Sequence, residues 1–360
     1  MEEAGDSSRN GAKTGAKTGA NTWGNAMSVI AGVTPEIFAE VVAQGQPAVF
    51  KGAVADWPLV QQALVSNEAV GDGLKGLDSG RPAQVWVGDP AIRGEFFYGN
   101  SLDELNFRKI QVPLSVSIDH LLALENDDNP QAVFIQSLSI ADHLPGFLRD
   151  HSLSLLPSDV MPRIWIGNRL RVQTHYDPVD NVACLVAGRR RFTLFAPDQL
   201  PNLYIGPLYK TIAGAPISMA SLENPDFERF PRLREAMDNA WIADLEPGDA
   251  IYIPYFWWHH VQSQTPFNIL VNYWWDQAPG EHAEANDAFM HALLTIKQLS
   301  SGKRDIWKTM FDHYVFESFG DPAAHLGDAD KGVLGAMPEA EIARMKQGLL
   351  ARLMGRWGTR

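Results

Sequence analysis

The chain has one cysteine among its 360 residues, Cys184, so no disulfide can close within it. That thiol sits in the apolar run Val182-Ala183-Cys184-Leu185-Val186, where it is expected to act as a small buried hydrophobe. Positive charge is scarce as well: 30 Lys and Arg stand against 43 Asp and Glu, a formal net charge of −13. Holding DNA or RNA by its phosphates needs clustered basic residues, and Arg189-Arg190-Arg191 is too short a run to supply them. No nucleic-acid partner is expected. No apolar stretch is long enough to span a bilayer, and the N-terminus has no continuous apolar segment of a secretory signal. These absences point to a soluble, cytoplasmic protein with no membrane partner.

What is present is enough apolar material for a large core, 45% of residues, and eleven tryptophans. Five of these, Trp165, Trp257, Trp258, Trp274 and Trp275, fall near the candidate site described next. Residues 1–27 are poor in apolar side chains, and Gly11-Ala12-Lys13-Thr14 repeats at Gly15-Ala16-Lys17-Thr18. Such a segment cannot bury enough surface to offset its chain entropy, so a disordered tail is expected there. From Arg163 to Trp275, short runs rich in β-branched and aromatic residues alternate with Gly, Pro and Asp, which predicts a sandwich or barrel. Short helices and strands are expected before it, including helices over 35–42 and 117–126 and a strand over 94–98. After Gln277 the strand signals stop, and helical periodicity runs over 283–299, 306–316 and 339–353. The expected organisation is a tail (1–27), a mainly β domain with flanking helices (28–277) and a C-terminal helical region (278–360).

Two segments carry chemistry. His175-Tyr176-Asp177 places an imidazole and a carboxylate two residues apart, a spacing that puts both on one side of a strand. Far downstream, Trp257-Trp258-His259-His260 offers a further imidazole after the turn Glu246-Pro247-Gly248-Asp249. Adjacent strand residues face opposite ways, so only one of His259 and His260 can join the first pair. Two imidazoles and one carboxylate on one face of a metal are the ligands of non-haem Fe(II) oxygenases. Zinc takes the same donors, so ligand type alone leaves a zinc hydrolase or isomerase open.

The order of motifs is more specific than any one of them. Thr174-His175-Tyr176-Asp177, Asn181, Gly188-Arg189-Arg190-Arg191-Phe192, Glu223-Asn224-Pro225-Asp226-Phe227 and Pro247-Gly248-Asp249 through His260 together resemble the cupin-like branch of the Jumonji-C hydroxylases. Within it, the pattern is similar to the asparaginyl hydroxylases of the hypoxia-inducible factor. The resemblance implies a double-stranded β-helix (jelly-roll or cupin) core, bound Fe(II), and 2-oxoglutarate as cosubstrate. It implies hydroxylation of a C–H bond coupled to conversion of 2-oxoglutarate to succinate. It assigns His175, Asp177 and His259 as metal ligands. It places Arg190 at the position of the cation that holds the far carboxylate of the cosubstrate, where family members often carry Lys. Asn181, Asn272 and Trp274 fall at pocket positions near the metal.

The departures are specific. A hydroxyl residue three before the first ligand is replaced by Val172, with Thr174 beside His175 as the substitute in the cosubstrate site. A pocket tyrosine is replaced by Phe134, with Tyr98 or Thr193 as candidate replacements for its hydroxyl. The pair with which the asparaginyl hydroxylases hold their target falls at Pro216-Ile217, so no substrate is carried over beyond a protein or peptide side chain or a small molecule. The lost hydroxyls leave a non-catalytic, metal-binding interaction protein as the alternative. The apolar positions of the C-terminal helices exceed what lone helices need, so they are expected to pack on the barrel or on a second chain. Related hydroxylases pair through such helices, so the resemblance implies a homodimer.

Overall fold

The computed structural model describes residues 23–275 and 285–355. The chain divides into two compact units, the first ending at Asp276 and the second running from Gln277 to Arg360. The first unit is mainly β with flanking helices. Its early strands are β1 (Asn25–Ala26), β2 (Ser28–Ala31), β3 (Ala48–Lys51), β4 (Pro82–Gly88), β5 (Phe107–Pro113), β6 (Ala132–Ser139) and β7 (Arg163–Gly167). They are followed by β8 (Arg171–His175), β9 (Asp180–Ala187), β10 (Arg190–Phe195), β11 (Trp241–Leu245), β12 (Ala250–Ile253), β13 (Trp258–Ser263) and β14 (Asn268–Trp275). The smaller sheet has the order β1-β11-β10-β13-β8, the larger β2-β3-β12-β9-β14-β7-β6-β4-β5.

The central strands of the larger sheet are buried on both faces, and their sequences show it. All eight residues of β9 are buried. Val182, Cys184 and Val186 point to one apolar cluster, Ala183 and Leu185 to another, as the two-residue period of a strand requires. The first cluster joins the sheet to helices α1 (Pro35–Gln44), α2 (Pro58–Val65), α3 (Asn67–Leu77) and α4 (Leu114–Ala123). The second lies between the two sheets, where Leu185, Ile251 and Leu270 meet Phe192, Leu194 and Val261. Burying each such side chain contributes about 1.5–3 kcal/mol, so the two layers are held by hydrophobic burial on both faces of the larger sheet. Cys184 is buried in the first cluster, and burial pushes its thiol pKa up, so it is an inert core residue.

Local signals set the ends of elements. Thr34 caps α1 by accepting from the Ile37 amide, Pro35 occupies its first turn, and Gly45 closes it at φ +60°. The turn before β12 is fixed by buried Asp249, whose carboxylate accepts from the amides of Glu246 and Gly52 and from Lys51 Nζ at 2.7 Å.

Several expectations are corrected. Residues 94–98 form only the isolated bridges Glu95↔Arg171 and Tyr98↔Leu105, not a strand. The helix expected from Ser117 begins at Leu114, because Leu114, Ile118 and Leu121 form its buried face. Ser117 is therefore inside the helix and donates to the Pro113 carbonyl instead of capping. The tail expected over 1–27 ends sooner: Asn25 and Ala26 pair in parallel with Trp241 and Ile242, and Met27 is buried. Its remainder, 1–22, lies outside the described residues. Helices α5 (Ile140–His143), α6 (Phe147–Asp150) and α7 (Leu233–Asp238) complete the first unit. The second unit contains α8 (Ala285–Leu294), α9 (Ser301–Tyr314) and α10 (Glu339–Leu353). Among the described residues, no helix is long and apolar enough to cross a membrane.

Candidate metal centre

β8 and β13 are antiparallel neighbours, and their register sets His175 opposite His259. The two imidazole rings lie 4.2 Å apart, centroid to centroid. Asp177 follows two residues beyond the end of β8, and one ligand atom from each of His175, Asp177 and His259 lies within 4.8 Å of the others. His259 Nε2 and Asp177 Oδ2 are 3.6 Å apart. The bulge beside them matters. His259 opposes His175, but Val261 opposes Val172, so β8 carries one residue more than β13 between the two pairs. Val172 and His175 therefore both face the interior although they are three apart.

Both rings are prepared as ligands. His175 Nδ1 is 2.8 Å from the Gln173 carbonyl and His259 Nδ1 is 3.0 Å from the Trp257 carbonyl, each two residues back along the chain. A carbonyl only accepts, so each Nδ1 carries the proton and each Nε2 keeps its lone pair. Burial, and then the neighbouring His175, pull the pKa of His259 below its usual value, which favours the neutral ligand. Asp177 Oδ2 accepts from Trp274 Nε1 at 3.1 Å and from Asn181 Nδ2 at 3.3 Å, which fixes the carboxylate. This donor set, with lone pairs converging and outer partners satisfied, fits one divalent cation. Replacing Trp274 with Phe removes one outer bond to Asp177 and is expected to weaken metal affinity roughly 10–100-fold. An anaerobic Fe(II) titration reads this, and wild-type affinity would contradict the role.

The triad opens into a cavity of about 440 Å³, mouth included, between the two sheets. Arg190, Asn181, Asn272 and Trp274 line it among apolar walls that include Trp165 and Phe192. Arg190 is 3% exposed. Its Nη2 reaches the Trp165 carbonyl at 3.5 Å, its Nε has no hydrogen-bond partner, and no carboxylate among the described residues pairs with it. Burial pushes its pKa down to about 9. The next residue differs sharply: Arg191 faces outward and grips Asp244 with two bonds of 2.7 Å. A buried, unpaired guanidinium is costly unless an anion comes to it. Asn272 accepts from Trp165 Nε1 at 2.7 Å and donates to Asn181 Oδ1 at 3.4 Å, so the two amides form one chain leading to Asp177.

Not every expected residue is at the cavity. Phe134 and Val172 do line it, so the two hydroxyl positions are apolar walls. Thr174 does not. It falls in the bulge, is 1% exposed, and its hydroxyl has no partner, while its carbonyl accepts from the Ser218 amide. Tyr98 donates its hydroxyl to the Lys210 carbonyl, and Thr193 faces the opposite side of the smaller sheet. A contact not foreseen is the stack of Tyr176 on Phe256, with ring centroids 4.3 Å apart. Phe256 has φ +61°, and its amide donates to the Asp177 carbonyl at 3.2 Å. A side chain held there costs on the order of 1–3 kcal/mol, so the turn before β13 is strained where it meets the ligand loop. The aromatic neighbours of both ligand motifs were the only sequence signal for it.

The three buried histidines His151, His259 and His260 all have pKa values lowered from 6.5, chiefly by burial. A lowered folded pKa for a base means that the unfolded chain binds more protons below 6.5. Stability of the metal-free chain is thus complete above 6.5 and declines as pH falls toward the lowered values, by up to about 1.4 kcal/mol per group per pH unit. Glu95, raised by burial, offsets part of it. The expected result is a urea midpoint that falls between pH 6.5 and 5, and a flat midpoint would contradict it.

A family model described as a cupin-like domain matches residues 34–281, more than half of the chain. A lysine-specific demethylase, JMJ31, of Arabidopsis thaliana is 33% identical over 151 residues, 42% of this chain and 26% of its own length. The tRNA wybutosine-synthesizing protein 5 of Gallus gallus is 33% identical over 153 residues, 38% of this chain and 45% of its own. The HSPB1-associated protein 1 of Homo sapiens is 31% identical over 133 residues, 36% of this chain and 27% of its own. The chain thus spans less than half the length of each of these relatives.

Proposed function

This chain belongs to the cupin-like domain family, and from that premise we propose that it is an Fe(II)- and 2-oxoglutarate-dependent oxygenase that hydroxylates a C–H bond. The observation that carries the reading is one cavity with a convergent His175–Asp177–His259 set and, in the same walls, a buried cation that no carboxylate among the described residues pairs with. A zinc hydrolase accounts for the triad but gives Arg190 nothing to bind. A dicarboxylate cosubstrate accounts for both.

The chemistry supplied by bound Fe(II) with 2-oxoglutarate is insertion of one oxygen atom of O₂ into a C–H bond, with release of CO₂ and succinate. The residues of this chain do the rest. His175 and His259 stay neutral and aimed because their Nδ1 protons are held by backbone carbonyls. Trp274 and Asn181 keep the Asp177 carboxylate turned to the ligand set. Arg190 receives the far carboxylate at a buried position, where a charge-assisted bond is strong. Trp165, Phe192 and their apolar neighbours exclude water from it. Phe134 and Val172 supply no hydroxyl, so the cosubstrate is held by charge and shape. That deficit is the one observation favouring a non-catalytic, metal-binding interaction protein.

Metal-dependent formation of succinate from 2-oxoglutarate separates the two readings; an iron-loaded chain that neither binds nor consumes 2-oxoglutarate sinks the first. The acceptor is proposed to be a protein or peptide side chain or a small molecule. The names of the relatives span lysine demethylation and tRNA modification and select neither. Mass spectrometry for products heavier by one oxygen, in lysate given enzyme and 2-oxoglutarate, identifies it.

We propose further that the second unit carries a homodimer contact. Ile306, Trp307, Met310 and Tyr314 on α9, and Met345, Leu349, Leu350 and Leu353 on α10, are all exposed. Deleting 283–360 is expected to leave monomers or aggregates by light scattering. A soluble, active dimer lacking them would contradict this.

A further inference from the structure

The smaller sheet has a second cavity on the face turned away from the metal triad. It encloses about 590 Å³, open solvent at its mouth included. The strand period that sends His259 and Val261 inward sends His260 and Gln262 here, and Arg190 and Phe192 have Arg191 and Thr193 as their outward neighbours. Glu223 and Leu222, from the segment between β10 and β11, and the indole of Trp23 complete the walls.

His260 is 3% exposed, yet its Nε2 has no hydrogen bond. Glu223 Oε1 lies only 3.3 Å from it, close enough for an ion pair but without hydrogen-bond geometry. Outside the cavity walls, buried Gln173 spends its Nε2 on Glu95 at 2.6 Å and leaves its Oε1 without a donor. Charge is unbalanced in the same direction. Arg191 is engaged by Asp244. Glu95 and Glu223 are left facing one guanidinium, that of Arg171, 3.7 Å from Glu223. Burial and then Glu223 both push the Glu95 carboxyl up, as expected for two carboxylates with too little positive charge between them. The unpartnered His260 Nε2 can accept, and Glu223 shares the single guanidinium of Arg171 with Glu95. Glu223 is the one carboxylate in the cavity walls among the described residues, and the Arg191 guanidinium beside it is held by Asp244, so an incoming cation meets a carboxylate while an anion meets a guanidinium already engaged. An indole on the wall suits a cation, and Leu222 beside it suits an alkyl chain.

We propose that this cavity is a second ligand site that takes an organic ammonium group, its head at Glu223 and His260 and its alkyl chain against Trp23 and Leu222. The source is either a lysine side chain of a polypeptide or a free alkyl polyamine. The site is separate from the metal centre, and its occupancy does not depend on the oxygenase reading.

The test is calorimetric titration of the full chain with Nα-acetyl-lysine methylamide, putrescine, n-butanol and butyrate. Saturable binding of an amine, with butanol and butyrate inert, is expected. Stronger binding of the lysine derivative assigns the site to a polypeptide, and stronger binding of putrescine to a free amine. Glu223→Gln is expected to weaken the amine about tenfold or more, the usual consequence of losing a bond to a charged group. Circular dichroism checks that the variant is folded. Should it not fold, Leu222→Trp, which fills the cavity from its apolar side, is expected to block the amine in its place. No saturable amine binding, equal binding of butanol or butyrate, or amine affinity unchanged in a folded variant would overturn the proposal.

Discussion

Replacing Asp177 with alanine is expected to abolish Fe(II) binding and 2-oxoglutarate turnover together, and His259→Ala to do the same. Each removes one of only three protein donors that converge among the described residues. Loss of an outer-shell partner already costs roughly 10–100-fold in metal affinity, so loss of a ligand should exceed that range. Asp177→Ala has a second consequence. It strips the acceptor from Trp274 Nε1 and Asn181 Nδ2, both inside the cavity wall. Leaving buried donors unsatisfied costs about 1–3 kcal/mol each, so the metal-free variant should also melt lower than the metal-free wild type. His259→Ala orphans only the Trp257 carbonyl, and relieves a buried imidazole that is held below its usual pKa. The two variants should therefore look alike in Fe(II) titration and succinate formation, and differ in melting temperature. Retention of metal by either one would remove the basis of the oxygenase reading.

The residues legible in the sequence were those governed by short-range periodicity. The two-residue strand period predicted that only one of His259 and His260 could join the first pair, while Arg190 was placed by the resemblance alone. Across β13 and β10, His259 and Arg190 line one cavity and His260 and Arg191 the other. What failed was set by contacts distant in sequence. Thr174 adjoins a ligand but is turned out of the cavity by a bulge that exists only where β8 meets β13. The helix α3 was unread because Gly71, Gly73 and Gly76 argue against one. Packing overrides that propensity: a Cβ on Gly71 would press on Ile118 and Leu122 of the neighbouring segment, so the glycine lets two helices approach. β5 was unread because it is an edge strand with no buried residue, carrying the exposed Arg108 and Lys109, which is how an edge avoids pairing with another chain. The second cavity was invisible for the same reason as the bulge. Glu223 reaches His260 from a segment that has no strand or helix periodicity of its own.

Replacing Arg190 with methionine is expected to raise the stability of the ligand-free chain while removing its response to 2-oxoglutarate. These opposite effects follow from one fact: the guanidinium is buried, Nε has no partner, and no carboxylate among the described residues pairs with it. Exchanging buried charge for a well-fitting apolar side chain is often stabilising by about 1–4 kcal/mol even where the charge was paired. For a domain of this size each kcal/mol is worth roughly 2–4 °C, so the metal-loaded, ligand-free melting temperature should rise by several degrees. In the wild type, 2-oxoglutarate at a hundred times its Kd should add about 2.7 kcal/mol by mass action. In the methionine variant one or two charge-assisted bonds of about 1.5–3 kcal/mol each are gone, and the cosubstrate-dependent shift should vanish at the same concentration. Arg190→Lys is the discriminating partner. It keeps a cation on the same strand face but replaces the planar fork with a point charge, so it should restore part of the shift at a higher Kd. A purely structural arginine predicts the reverse pattern, with the methionine variant less stable and the wild type indifferent to 2-oxoglutarate.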